Sequence, residues 1–83
     1  MDVYIFAVFG TREQTMRFNA ALIKRGYVTL VINTPREIRS GCGVSVRFSE
    51  YAINYAKYVV RYYDFSSFAG FYTYDGKRYI PFG

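Results

Sequence analysis

Residues Val3 to Phe9, VYIFAVF, are seven consecutive apolar positions dominated by β-branched and aromatic side chains, and Gly10 ends the run. A surface helix or a half-solvated strand would interleave polar residues. An unbroken run of this length fits a strand covered on both faces, or the central strand of a small sheet. The chain has 83 residues, and a chain of that size buries only about 60% of its unfolded surface, so one domain over residues 1–83 is expected. Its composition, 52% apolar and 22% aromatic, supplies enough material for a packed core and excludes an intrinsically disordered chain. The same run is about a third of the ~20 residues a membrane helix needs, so no membrane association is expected.

The remaining elements follow from local signals. Thr11 stands at a helix N-cap position with Gln14 three residues on, a capping-box pattern, and Gly26 closes a helix expected over 12–25. Thr15, Phe18, Ala21 and Leu22 share one face of it. Tyr27 to Asn33, YVTLVIN, reads as a second strand, and Thr34-Pro35-Arg36-Glu37 as one short helical turn. Val44 to Phe48 alternates as a half-buried third strand should. Ser49 caps a second helix over 50–63, whose core face is Ala52, Ile53, Ala56, Val59, Val60 and Tyr63. Phe68 to Tyr74 and Lys77 to Phe82 flank Asp75-Gly76, the signal for a two-residue hairpin turn. This order predicts an α+β fold: a ferredoxin-like βαββαβ unit with a four-stranded antiparallel sheet, two helices on one face and a C-terminal hairpin.

Several chemistries are excluded by residue type. The chain has no His and no Trp and a single cysteine, Cys42. Histidine triads, histidine metal sites, internal disulfides, CxxC pairs and cysteine zinc sites all fall away. The six carboxylates are scattered over caps, turns and termini, so neither an acid/base dyad nor a metal site is expected, and Gly10 alone after the first strand is not a dinucleotide or phosphate loop. No cofactor is called for. A lone thiol fits a reducing compartment, and a cytoplasmic protein is expected. The formal charge of +5 favours acidic partners.

Cys42 is the one residue whose setting makes it a candidate nucleophile or carrier. A thiol of ordinary pKa is about 3% thiolate at pH 7, and lowering the pKa by one unit raises that to about a quarter. Arg36, Arg39 and Arg47 lie within six residues of Cys42, opposed there only by Glu37, and are candidate anion stabilisers. Gly41 and Gly43 bracket the cysteine and allow positive φ, close approach by a partner and an anion-binding arrangement of backbone amides. A small buried cysteine with two turn glycines explains the same residues without chemistry.

Pro35, Arg36, Glu37, Ser40, Cys42, Gly43 and Arg47, following a βαβ unit whose helix starts near Thr11, resemble the small bacterial family of selenium/sulfur carrier-like proteins. The resemblance covers roughly residues 3 to 80 and is carried by about ten positions around Cys42. Gly41, where the family pattern leads one to expect a polar residue, departs from it. The resemblance implies a carrier rather than an enzyme. Cys42 would accept sulfur or selenium from a cysteine desulfurase or a selenium-delivering enzyme, hold it as a persulfide or selenide, and pass it to a downstream acceptor enzyme.

Two other readings rest on the aromatic residues. Tyr4, Phe6 and Phe48 on strands of a basic sheet are candidate base-stacking residues for RNA, although core packing accounts for them as well and the third strand lacks the expected glycine-aromatic pattern. Tyr51, Tyr55, Tyr58 and Tyr62 form a stripe beside the core face of the second helix and widen its apolar arc, which makes them candidate interface residues for a regulatory or assembly role, including a homodimer.

Overall fold

The computed structural model describes residues 3–38 and 41–83. The elements run β1 (Tyr4–Phe9), α1 (Arg12–Arg25), β2 (Thr29–Asn33), β3 (Val44–Ser49), a single 3₁₀ turn (Glu50–Ala52), α2 (Ile53–Tyr62), β4 (Phe68–Tyr74) and β5 (Tyr79–Pro81). The fold is α+β, with one antiparallel sheet in the order β2-β3-β1-β4-β5. The uninterrupted apolar run forms the middle strand: Ile5 through Phe9 are all buried. Five strands replace the four expected. The terminal hairpin extends the sheet because β5 pairs with β4 from Tyr72↔Pro81 to Tyr74↔Tyr79, and the Phe82 amide donates to the Phe71 carbonyl beyond it.

The alternation of β1 separates two packing environments. Its odd residues, Ile5, Ala7 and Phe9, join Val46 and Phe48 of β3, Phe71 of β4, Phe18 and Leu22 of α1, and Ala56 and Val59 of α2 in one core cluster. Both helices therefore serve one face. Phe18 is fully buried, with its ring centroid 5.1 Å from Phe9, 5.9 Å from Phe48 and 6.4 Å from both Phe65 and Phe71. The even residues Phe6 and Val8 are buried outside that cluster, although no helix covers them. Tyr79 of β5 lies edge-on to Phe6 at 5.3 Å, and Gly41 sits against Val8.

Several expected boundaries are corrected, each for a local reason. Tyr27 does not open β2: its amide and that of Gly26 satisfy the Leu22 and Ile23 carbonyls at the end of α1, so the strand starts at Thr29. Thr11 caps α1, its hydroxyl accepting from the Gln14 amide at 3.2 Å. The Gln14 side chain does not return to Thr11. Its Oε1 accepts from the Ser67 amide and hydroxyl at 2.9 and 2.7 Å, and its Nε2 donates to Ser66 Oγ at 3.0 Å. The second helix begins as a 3₁₀ turn, with Ser49 Oγ accepting from the Tyr51 amide, and Tyr63, expected on its core face, is half exposed at its end. The hairpin turn holds four residues, 75–78. Asp75 Oδ1 accepts from the Lys77 and Arg78 amides, both at 2.9 Å, and that carboxylate cap fixes the longer loop.

Candidate functional site

The last residue of β1 and the first turn of α1 meet the loop that carries Cys42. The Cys42 amide donates to the Phe9 carbonyl at 3.0 Å, and the adjoining Gly10 amide donates to the Ser67 carbonyl at 2.7 Å. The base of the loop is closed where the Thr34 amide donates to the Gly43 carbonyl at 2.8 Å and the Thr34 and Ser45 hydroxyls bond at 2.6 Å. The segment after Thr34, expected as a short helical turn, is a plain hydrogen-bonded turn, with the Ile38 amide donating to the Pro35 carbonyl. Gly41 has φ +108°, and a Cβ there would lie 2.6 Å from Val8 Cγ1 and 3.2 Å from the Phe9 carbonyl oxygen. Only glycine lets the chain come this close to β1. The departure at this position thus has a packing reason.

Cys42 is half-buried, and its Sγ lies 3.4 Å from Thr15 Oγ1 and 3.7 Å from the Val44 carbonyl oxygen. Burial pushes the thiol pKa up. The Thr15 hydroxyl, main-chain hydrogen bonding at Val44 and at Cys42 itself, and the charge of Arg12 act in the opposite direction and prevail, so the thiol lies below its ordinary value of 9.0. Thr15 is fully buried, and its hydroxyl donates to the Thr11 carbonyl at 2.9 Å. Either atom of the Thr15–Cys42 contact can donate: the neutral S–H has the Val44 carbonyl as acceptor, and the Thr15 hydroxyl, turned toward sulfur, can donate to the thiolate. Arg12 and Thr15 both stand in the first turn of α1, whose free amides and dipole also favour negative charge. The geometry can accordingly hold an anionic sulfur at a position solvent reaches.

The arginines near Cys42 in sequence are dispersed. Arg36 is exposed on its turn. Arg47 lies over the Tyr4 ring at 4.2 Å, near the other end of β1 from Cys42. Arg39, like Ser40, lies outside the described residues. Among the described residues the cation acting on the sulfur is Arg12, which sequence proximity did not indicate. A signal for Thr15 was present: it is the one polar residue on the otherwise apolar stripe of α1.

The aromatic candidates divide as well. Phe48 is 1% exposed and belongs to the helix-side core, so it is no stacking residue. Phe6 is buried under Tyr79, whereas Tyr4 is partly exposed. On α2, Tyr55 and Tyr58 stack at 5.9 Å and Tyr58 and Tyr62 at 5.4 Å, continued at one end by Tyr27 and Arg25 over Tyr55. Tyr51 projects from the 3₁₀ turn and is 82% exposed.

Among the described residues no helix is long and apolar enough to cross a membrane. No curated protein and no solved structure matches the chain. A family model described as "Putative Se/S carrier protein-like" matches residues 4–63, more than half of the chain, and its span takes in β1, α1, the Cys42 loop and α2 but stops before the terminal hairpin. The chain belongs to that Se/S carrier-like family.

Proposed function

We propose that the protein carries sulfur or selenium on Cys42, taking it from a cysteine desulfurase or a selenium-delivering enzyme and surrendering it to an acceptor enzyme in a reducing, cytoplasmic setting. The observation that carries this reading is the half-buried sulfur, with its pKa below the ordinary thiol value, at the first turn of α1 inside the matched span. In the loading step the Cys42 thiolate attacks the outer sulfur of a donor persulfide. One S–S bond forms on Cys42 as the donor's breaks, and the donor leaves as a thiolate that takes up the proton Cys42 lost, with no net oxidation. A persulfide is anionic near neutral pH, and the Thr15 hydroxyl and Arg12 serve it as they serve the thiolate. Carriage needs no second catalytic group.

Mass spectrometry tests the reading. After incubation with a desulfurase and cysteine, Cys42 should gain about 32 Da, one sulfur atom, removable by a thiol reductant. Absence of the adduct, or equal labelling of Cys42→Ser, would rule the proposal out.

A second reading adds self-association to carriage rather than replacing it. The stacked rings of Tyr55, Tyr58 and Tyr62, the last two 53% and 66% exposed, form a contact surface for a second copy.

A further inference from the structure

The face of the sheet away from the helices carries a concavity of about 580 Å³ that the carrier reading does not use. Val3, Tyr4 and Phe6 of the β1 side, Arg47 of β3, and Tyr74 and Tyr79 on either side of the hairpin loop line it, with Asp75 and Gly76 at its end. Its size falls within the ~300–1,000 Å³ of small-molecule sites. It opens near Tyr4, whereas Cys42 is held at Phe9, five residues further along β1, or about 16 Å at strand rise. One wall is the hairpin, beyond the residue at which the family match ends.

Four aromatic rings converge on this space. Tyr74 and Tyr79 lie 4.8 Å apart, Tyr79 meets Phe6 edge-on at 5.3 Å, and Tyr4 carries the Arg47 guanidinium on its face at 4.2 Å. A guanidinium stacked face-on leaves its N–H edge free to donate. Among the described residues the one ion pair joins Arg17 and Glu13, so no described carboxylate neutralises Arg47. Asp75 is the carboxylate in the lining, and its Oδ1 is engaged by the Lys77 and Arg78 amides. Glu37, whose charge reaches Tyr79, and Glu50, whose amide donates to the Val3 carbonyl, are anions outside the lining, and neither pairs with Arg47. Aromatic surface calls for a flat ring, and a guanidinium that no described carboxylate pairs with calls for an anion attached to that ring. A nucleotide has both.

We propose that this concavity binds a nucleotide, its base against the rings of Tyr4, Tyr74 and Tyr79 and its phosphate on the N–H edge of Arg47. The nucleotide is either free or part of a single strand, since both present the same base and phosphate. This site is independent of the chemistry at Cys42.

Titration of the whole chain with adenosine 5′-monophosphate, adenosine, ribose 5-phosphate and a short oligoadenylate, followed by amide NMR shifts and tyrosine fluorescence, tests the assignment. The monophosphate should bind saturably, shifting Tyr4, Arg47, Tyr74 and Tyr79, with adenosine and ribose 5-phosphate each at least about tenfold weaker. Arg47→Gln should weaken the monophosphate about tenfold while leaving adenosine unchanged. Tyr74→Ala, at a half-exposed position, should weaken both by about tenfold while amide shifts remote from the concavity stay those of the folded parent. Tighter binding of the oligoadenylate assigns the site to a strand, and equal binding assigns it to the free nucleotide. The proposal is overturned by no saturable shift at millimolar monophosphate, by unchanged affinity in either variant, or by shifts confined to the tyrosine ladder of α2.

Discussion

The sulfur of Cys42 lies 3.4 Å from the hydroxyl of Thr15, a fully buried side chain one turn into α1. The hydroxyl is the largest of the influences that lower the thiol pKa against burial. Thr15→Val keeps the shape and removes the hydroxyl, so the Cys42 pKa should rise and alkylation by iodoacetamide at pH 7 should slow. A pH–rate profile superimposable on that of the parent protein would refute the role given to Thr15.

The same pair links ionisation to folding. The folded thiol has a depressed pKa, so the stability it contributes is fully present above the unfolded value near 9.0 and is lost as pH falls through the folded value. Urea midpoints measured across that window should rise with pH in the parent protein. Cys42→Ser should lack this component, and equal slopes for the two proteins would contradict the linkage.

Gly41 and Gly43 both have positive φ, but only Gly41 is also pressed against a neighbour. Gly43→Ala should cost about 1 kcal/mol, the strain of the left-handed backbone alone. Gly41→Ala should cost more, about 2–4 kcal/mol, because the new methyl collides with Val8. Thermal unfolding of Gly41→Ala combined with Val8→Ala should reveal coupling between the sites, and strict additivity would show that the close approach is not what demands glycine.

Gln14 belongs to α1, yet its amide holds the turn before β4 through three hydrogen bonds to Ser66 and Ser67. Gln14→Ala should destabilise the protein by about 1–3 kcal/mol and speed hydrogen exchange at the Ser67 amide. An unchanged exchange rate there would mean that the turn is held by the Gly10–Ser67 bond alone.

If the ladder on α2 is a contact surface for a second copy, parent protein should sediment faster as its concentration rises. Tyr58→Lys with Tyr62→Lys should abolish that dependence while changing stability by less than about 0.5 kcal/mol for each exposed site. Monomeric sedimentation of the parent at every concentration dismisses the contact.

The sequence was most readable where one period or one residue type governs. The run from Ile5 to Phe9 could only be buried on both sides, and the spacing of Thr15, Phe18 and Leu22 could only be one helix face. It was least readable where a side chain has two possible partners. Gln14 fits a capping box equally well on paper, and only the arrival of Ser66 and Ser67 from some fifty residues away decides between them. The electrostatics of Cys42 escaped for a similar reason. Arg36 and Arg47 are near it in sequence, but strand pleating sends Arg47 onto Tyr4, while Arg12, thirty residues distant, comes back to the sulfur through the β1–α1 connection. The length of the hairpin loop likewise depends on a carboxylate cap that Asp75-Gly76 does not announce.

The hydrogen bond from the Cys42 amide to the Phe9 carbonyl ties the thiol-bearing corner to the middle strand, that from the Gly10 amide to the Ser67 carbonyl ties down the adjoining end of the strand, and Gly41 is wedged against Val8. A corner tied down in this way is not a swinging arm. On the proposed carrier role, a donor or acceptor would have to bring its own reactive atom to a stationary point, which a protruding active-site segment could do and a deep receiving cleft could not.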